Sequence, residues 1–384
     1  MSYKEKTLKA YNSSLLKIRL CGFDPDNLDV DKFIEYLNKN NIPIRSQNLY
    51  VSALQWYNSE TKKDIELSNK LAKETTKIRT LINKEYDQNE LSEREKKNFI
   101  EWEIILKIYD YVKDKAIQFN DKRTQNDYLL LSLYVLHPPR RCDYQNMYIS
   151  DMDITLYKNR IINTNSKYSG EWFSLDKFTK HERINNDIKN KTNKNYYILN
   201  NGKGHFCFDE YKTFNFYGKQ IIEVKSDLDT IIKEHIKKNN LKVGDKLLDL
   251  TYANYAKRLS LLFECYVNRK PSVDILRHSF INYVIRQYQN KNGNDGANME
   301  KRKEISLLMG HSISTQLLYF KFYNTNDQME INPNNDKCKK TYQKIENEEE
   351  KLKKRIADKK EWYEKNKKQI LQKRKEQRDK LIKS

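Results

Sequence analysis

The sequence predicts a mainly α-helical protein with a small antiparallel β-sheet, an α+β chain made of several parts. In most segments the apolar residues recur at helical spacing, which is the pattern of amphipathic helices. Residues 193–224 show short strand-like runs separated by turn residues. After residue 335 the chain has no Gly or Pro and is packed with charge, which predicts a solvated helix.

Length and charge define the broad class of the protein. Its 384 residues suffice for two or three domains with a sizeable core, and its net charge is +20. That charge predicts a polyanionic partner, although a chain rich in Lys, Asn, Ile and Tyr is also typical of AT-rich genomes. Five scattered cysteines without a CxxC pair argue for a reducing compartment and against a zinc site or a disulfide frame. The sequence has no membrane-spanning run and no signal-peptide core, so we expect an intracellular protein.

Residues 1–85 are predicted to form a small helical domain. Three runs have apolar residues at helical spacing: 7–20, 30–40 and 44–59. Asp29 or Asp31 is expected to cap the second helix and Ser46 the third, because their side-chain oxygens can accept bonds from free backbone N–H groups. The stretch from about 75 to 95 is so rich in charge that we predict a linker there.

Residues 86–330 are predicted to form a larger domain that contains the sheet. Its predicted helices cover 99–116, 127–137, 228–241, 253–267 and 272–285, and 289–302 is predicted to be a loop. Its predicted strands are 193–200, 204–213 and 219–224, with a further strand-like run at 153–165. The strands predicted at 204–213 and 219–224 can pair as a hairpin, which would place Lys212 at its tip.

Two apolar helical runs between Ser272 and Phe322 contain polar groups that a plain core would not select. They are Arg277, His278, His311 and Tyr319. Any one of them alone is more often a satisfied core or surface residue, but the ordered set is uncommon. Gly310 fits a helix end or a close backbone approach, and Ser312 and Ser314 are candidate caps for the helix that carries Tyr319.

In order and spacing, this set resembles the C-terminal half of the active site of the tyrosine recombinase (phage integrase) family. That family has His-x-x-Arg-His, then Leu-Gly-His-Ser, then a tyrosine one or two helical turns later. The present chain has Asp274-Ile-Leu-Arg277-His278, Met309-Gly310-His311-Ser312 and Tyr319. It departs at Asp274, where the family has His or Lys. Tyr323, one helical turn further on, is the rival nucleophile.

The resemblance extends to earlier segments. Arg140 and Asp143 match the family's Arg-x-x-acid turn, and Arg141 is the alternative arginine. The family carries its catalytic lysine on a β-hairpin, often followed by Thr, so Lys212 matches best and Lys203 is the alternative. The helical domain at 1–85 is similar to the core-binding domain of the family, whose Lys and Arg residues would contact DNA phosphates.

This resemblance implies an enzyme that cleaves and rejoins DNA without a metal, ATP or another cofactor. The expected catalytic residues are Arg140, Lys212, Arg277, His311 and Tyr319, with Asp274, His278 and Arg141 in supporting roles. Tyr319 would attack phosphorus and form a 3′-phosphotyrosine, while the arginines neutralise charge on the phosphate. His311 would hydrogen-bond the phosphate, and Lys212 would protonate the departing 5′ oxygen.

The implied partner is double-stranded DNA, with four protomers assembled on two duplexes and no membrane involved. The variant motifs are similar to those of integrases from large DNA viruses, virophages and related mobile elements, so integration or excision of such an element is expected. The alternatives are a type IB topoisomerase-like enzyme and a non-catalytic DNA-binding protein of recombinase descent, which the departure at Asp274 suggests. Residues 331–384 are predicted to be a charged helix or a weak coiled coil, because apolar heptad positions are few.

Overall fold

The computed structural model of the protein is mainly helical, with a small mixed sheet. It describes residues 5–87, 90–154, 161–162, 187, 191–200, 202–291, 295–321 and 329–332, and scattered positions between 347 and 367. These residues fall into two compact units, divided in the chain between Leu91 and Ser92, with Lys321 grouped with the first unit. Most of the charged helix predicted at 331–384 lies outside the described residues, and so does the rival nucleophile Tyr323.

The first unit is built of helices whose ends follow local signals in the chain. They are α1 (Glu5–Leu20), α2 (Val30–Lys39), α3 (Ile44–Glu60) and α4 (Ile65–Asp87). Asp29 caps α2, as one of the two predicted alternatives, because its side chain accepts a hydrogen bond from the backbone N–H of Lys32. The prediction of Ser46 as the cap of α3 is wrong, since Pro43 holds that position without a side-chain bond.

The charged linker predicted at about 75–95 is wrong over most of its length, because α4 runs on to Asp87. Leu71 and Ile78 of this helix are buried in one core with Val51 of α3. The charges therefore lie on the outer face of an amphipathic helix, which composition alone does not distinguish from a linker. The predicted domain end at residue 85 consequently lies inside a helix.

The second unit packs its helices around a central one. The helices are α5 (Glu93–Asn98), α6 (Trp102–Phe119), α7 (Lys122–Val135), α8 (Phe214–Tyr217), α9 (Ser226–Lys238), α10 (Tyr252–Val267), α11 (Val273–Lys291), α12 (Asp295–Leu308) and α13 (Ile313–Tyr319). Leucines on several sides of α7 are buried, and they share a core with α6, α10 and the sheet. The loop predicted at 289–302 is wrong where the structure describes it, since α11 and α12 occupy those residues.

The sheet is mixed rather than antiparallel. Its strands are β1 (Met147–Ser150), β2 (Ile161–Ile162), β3 (Asn195–Asn200), β4 (Lys203–Phe208) and β5 (Gln220–Glu223). They lie in the order β1-β3-β4-β5-β2. The central pairs β3–β4 and β4–β5 are antiparallel as predicted, whereas the outer pairs β1–β3 and β2–β5 are parallel. Strand direction at the two edges depends on long connections, which local alternation does not encode.

The hairpin predicted around Lys212 is confirmed, with a longer tip than expected. Phe206 of β4 pairs with Ile222 of β5, and the connection between the strands contains Lys212 and α8. The buried Tyr211 anchors this connection, because its hydroxyl donates to the carbonyl of Gly218 at 2.6 Å. The backbone at Lys212 is thus held in place by the packed side chain of its neighbour, Tyr211.

Two further observations concern the whole chain. Cys21, Cys142 and Cys207 are free, whereas Cys265 is disulfide-bonded. Scattered cysteines carry no spacing signal from which such a bond could be predicted. Within the described ranges, every helix lacks the length and apolar character needed to cross a bilayer.

Candidate active site

Four segments of the second unit converge on a small cleft: the turn after α7, the β4–β5 connection, the first turns of α11 and the turn between α12 and α13. The central cavity measures about 80 Å³ and is lined in part by Arg141, Lys212, Thr213, Gly310, His311 and Thr315. A cavity of this size fits a small group such as a phosphate rather than a whole metabolite. Its lining is basic, so it favours an anion.

Tyr319 is the last residue of α13, and its hydroxyl is held by two charged groups. The helix begins at Ser312, whose Oγ accepts a hydrogen bond from the backbone N–H of Thr315 at 3.1 Å. The Tyr319 side chain is buried, with 6% exposed. Its hydroxyl donates to Oδ1 of Asp274 at 3.3 Å and accepts from Nη2 of Arg141 at 3.4 Å. A phenol placed between a carboxylate and a guanidinium can lose its proton to one and be stabilised by the other.

The ring and backbone of Tyr319 are fixed as well. Cζ of Arg277 lies 4.7 Å from its ring centroid, and the imidazoles of His278 and His311 lie at 4.8 and 5.5 Å. Nδ1 of His278 is 2.8 Å from the carbonyl oxygen of Tyr319, and since a carbonyl can only accept, this nitrogen carries the hydrogen. On its other side, Nε2 of His278 lies 3.8 Å from a carboxylate oxygen of Glu95.

Arg277 is buried with 1% exposed, and within the described ranges its hydrogen bonds go to carbonyl oxygens rather than to a carboxylate. Its Nη1 donates to the carbonyls of Pro139 and Met309 at 3.3 and 3.4 Å, and its Nε lies 4.0 Å from Asp274. Among the described residues, this Nε has no hydrogen-bond partner. A buried cation with a spare donor is costly in isolation, which is consistent with an anion as its missing partner.

The two adjacent arginines have different surroundings. Arg140 is fully buried; its Nε donates to Asp143 at 2.9 Å, and its Nη1 donates to Gln220 at 2.9 Å and to the carbonyl of Leu308 at 2.8 Å. Its Nη2 lacks a partner in the part of the chain described. Arg141 is half-buried, lines the cleft and reaches Tyr319. The structure thus presents Arg141, the alternative choice, to the hydroxyl of Tyr319, whereas Arg140 is enclosed by Asp143, Gln220 and Leu308.

Gly310 is required both by its backbone and by its neighbour. It has φ +67°, a conformation that side chains with a Cβ rarely adopt, and it ends α12. A Cβ there would lie 2.7 Å from Nη2 of Arg140. Both sequence interpretations of this glycine, a helix end and a close approach, are therefore confirmed.

His311 is buried in the turn between α12 and α13. Its Nδ1 lies 2.9 Å from the carbonyl oxygen of Ser312 and therefore carries the hydrogen. Burial, together with the positive charge of Arg277, lowers the pKa of His311 to about 3. The buried Nε2 has no partner among the described residues and presents a lone pair. Donation from Nε2 to a phosphate would need a second proton, which a nearby anion favours.

Lys212 is exposed at the edge of the cleft, in the β4–β5 connection. The positive charge of Arg141, followed by partial burial, lowers the pKa of Lys212. Thr213 ties the connection to the α12–α13 turn by donating to the carbonyl of Gly310 at 2.5 Å. The alternative lysine, Lys203, lies on β4 and pairs with Glu223 at 3.2 Å, away from the described cleft lining.

Sequence reasoning missed two residues that support the site. Gln220 accepts from Arg140 across 80 positions in the chain, and no local pattern marks such a contact. Glu95 forms a capping box with Ser92 at the start of α5, and its carboxylate also faces His278. The capping box is a local pattern, whereas the contact with α11 depends on tertiary packing.

The arrangement combines a held phenol, buried cations and a lysine at one small cavity, which is a set suited to chemistry on an anionic ester. Within the described ranges, no three His, Cys, Asp or Glu side chains are grouped as they would be around a metal ion. Neither a comparison with protein-family models nor one with the curated proteins finds a match to this chain. The functional argument therefore depends on the residues and their geometry.

Proposed function

We propose that the protein is a DNA-cleaving and DNA-rejoining enzyme of the tyrosine recombinase type. The observation that carries this proposal is the position of Tyr319, whose hydroxyl lies between Asp274 and Arg141 beside a phosphate-sized basic cavity. A buried tyrosine that only filled a core would not need a guanidinium at its hydroxyl and another over its ring.

In the proposed reaction, Tyr319 Oη forms a bond to phosphorus while the bond from phosphorus to the 5′ oxygen breaks. The cut strand stays attached through a 3′-phosphotyrosine, so the bond energy is kept for rejoining. Arg277 and Arg141 would bind the non-bridging oxygens and offset the added negative charge. Arg140 would join them if its free Nη2 turned toward the phosphate.

Lys212 is the proposed proton donor for the departing 5′ oxygen. An alkoxide is a poor leaving group, so a proton must arrive as the bond breaks. The lowered pKa of Lys212, caused first by the charge of Arg141, makes it a stronger acid than an ordinary lysine. When a 5′ hydroxyl of the same or another strand attacks the phosphotyrosine, the same groups act in reverse.

The remaining partners follow from the charge and the resemblance. The net charge of +20 attracts a polyanion over long range, and double-stranded DNA is the proposed substrate. We assign the helical first unit to DNA binding and propose that four protomers assemble on two duplexes to integrate or excise a viral or mobile-element genome. Transfer of a strand to a second duplex would distinguish this activity from topoisomerase-like relaxation.

One observation favours a second candidate, a DNA-binding protein without catalysis. Asp274 stands where a His or Lys would donate to the phosphate, and an ionised carboxylate cannot donate. Against it, Arg141 and Lys212 line one cavity, Arg141 reaches the hydroxyl of Tyr319, and the buried Arg277 lies over the Tyr319 ring. Covalent attachment to DNA separates the two candidates.

The test uses a pool of nicked DNA duplexes of randomised sequence, in which a short cut strand diffuses away and traps the covalent intermediate. We expect a protein–DNA adduct on a denaturing gel with the wild type, none with Tyr319→Phe, and a normal adduct with Tyr266→Phe. Tyr266 is a buried tyrosine on α10, outside the cleft, and serves as the matched control.

Two outcomes would overturn the proposal. If the wild type binds the pool but forms no adduct, the non-catalytic candidate replaces it. If Tyr319→Phe still forms the adduct, the nucleophile is another residue, and peptide mapping of the adduct would show whether it is Tyr323. The duplexes recovered from the wild-type adduct define the substrate used below.

A further inference from the structure

Asp274 is a carboxylate that contacts the hydroxyl of Tyr319 and interacts with the cations around it. It lies in the first turn of α11, with its side chain 56% exposed, and it accepts the hydrogen bond of Tyr319. The other carboxylate of the cleft, Asp143, is bound at 2.9 Å by the buried Arg140. Asp274 therefore remains as the anion beside the groups that face the cavity.

Two cations from other segments and one from its own helix interact with Asp274. Arg277 lies one turn further along α11, Arg141 comes from the turn after α7, and Lys212 comes from the β4–β5 connection. Tyr319 completes the set from α13. The carboxylate interacts favourably with all three cations, which are the groups that would bind a phosphate.

We propose that Asp274 is an internal substitute for the DNA phosphate, which offsets part of the positive charge of these cations before DNA binds and accepts the proton of Tyr319 once the phosphate has entered. This inference rests on the proposed function. It assigns to Asp274 the activation of the nucleophile, and it makes that activation depend on the substrate.

The dependence follows from the repulsion between like charges. When the phosphate enters, it and Asp274 are two anions that share one set of cations, and each raises the proton affinity of the other. The proton within hydrogen-bond reach of Asp274 is that of the Tyr319 hydroxyl, at an oxygen–oxygen distance of 3.3 Å. Its transfer removes the repulsion and creates the nucleophile in the same event.

The proton and electron balance of the step is complete. The Tyr319 O–H bond breaks, the proton goes to Asp274, and the oxygen's electron pair forms the new bond to phosphorus. Arg141 stabilises the negative charge on the phenolic oxygen as it develops, since its Nη2 already lies 3.4 Å away. Free phenols and carboxylic acids differ by about 6 pKa units, so the transfer is expected to be concerted with attack. In rejoining, Asp274 returns the proton to Tyr319.

The experiment measures two quantities that the proposal moves in opposite directions. Asp274→Asn should slow adduct formation on the recovered duplex by at least about 100-fold, because a general base is lost. In a Tyr319→Phe background, the same substitution should tighten binding of that duplex by about fivefold. It removes the repulsion between the exposed carboxylate and the DNA phosphate, which costs up to ~1 kcal/mol. Asp227→Asn, an exposed charge change at the start of α9, should alter neither quantity appreciably.

A modified substrate separates the base from the acid. A duplex with sulfur in place of the departing 5′ oxygen needs no proton donor, because a thiolate leaves unaided. Lys212→Ala should recover adduct formation on this duplex, whereas Asp274→Asn should stay slow. The rate of Asp274→Asn should also rise about tenfold per pH unit as hydroxide replaces the lost base, while Asp274→Glu keeps a carboxylate and should retain part of the wild-type rate at neutral pH.

The inference and the proposed function fail in different ways. An absent adduct at Tyr319 in the wild type removes the proposed function. A normal adduct at Tyr319 together with an unchanged rate in Asp274→Asn overturns the present inference alone. Weaker DNA binding by Asp274→Asn in the Tyr319→Phe background would also overturn it, because a substitute for the phosphate must compete with the phosphate. Tight binding by that variant shows, in addition, that the fold is intact.

Discussion

Arg140 and Arg141 are neighbours in sequence but differ in what surrounds them. Arg140 is enclosed by Asp143, Gln220 and the end of α12, and Arg141 is half-buried in the cleft. Removing one partner of a buried ion pair leaves an uncompensated charge, whereas a cleft residue can be truncated without opening the core. The two positions should therefore fail in different assays.

We predict that Arg140→Ala lowers the free energy of unfolding by about 3–5 kcal/mol, because Asp143 loses its buried partner. Arg141→Ala should leave that free energy within about 0.5 kcal/mol of the wild type, yet slow adduct formation by about 100-fold. Denaturant unfolding and the adduct assay measure the two effects. An Arg140→Ala protein of wild-type stability would show that the ion pair with Asp143 contributes little.

The sequence predicted a set of site residues but not how they are paired. The structure places residues 274–278 on α11, where helical periodicity is a local signal, and residues 309–312 in the turn between α12 and α13. The sequence did not show that Asp274 bonds to Tyr319. That contact spans 45 positions and depends on how α13 packs on α11.

At the scale of secondary structure, the turn between α12 and α13 sets the geometry of the site. It brings Gly310 against Arg140, presents His311 to the ring of Tyr319 and starts α13 at Ser312. Its backbone also accepts bonds from the hairpin through Thr213 and from Arg277 at the carbonyl of Met309. Any expansion of this turn would therefore displace several parts of the site together.

We predict that Gly310→Ala destabilises the protein by more than the roughly 1–2 kcal/mol expected for a left-handed residue with a Cβ, because that Cβ would also press on Arg140. Gly202→Ala is the matched control, since Gly202 has φ +77° and nothing within 4 Å of the added carbon. Denaturant unfolding of both variants measures the difference. Equal losses would show that the contact with Arg140 is relieved without cost.

Elements with clear local signals were predicted well, and those set by distant contacts were not. Asp29 marks the start of α2, and Phe206 lies in a strand whose antiparallel neighbour follows closely in the chain. In contrast, β1 is parallel to β3 across a long connection, and α4 continues through a charged stretch because Leu71 and Ile78 are buried. Neither the long-range strand pairing nor the burial of a helix face is fixed by residue composition.

At the scale of the whole molecule, the division into a smaller helical unit and a larger α+β unit follows the predicted order of parts. The chain divides between Leu91 and Ser92, beyond the boundary predicted at residue 85, because a helix occupies most of the expected linker. Both units have a core of their own, as a chain of 384 residues allows. The groups proposed for catalysis all come from the larger unit.

The contacts of Tyr319 lie within its own chain, and this predicts how mixtures of inactive variants behave. Its hydroxyl already contacts Asp274 and Arg141 of the same polypeptide, so each protomer should cut with its own tyrosine. Two inactive proteins, Tyr319→Phe and Arg277→Ala, should then fail to complement each other when mixed on one duplex. Recovery of cleavage in such a mixture would mean that protomers exchange their nucleophiles. If protomers do not exchange tyrosines, each defective protomer in the proposed assembly would leave its own DNA strand uncut.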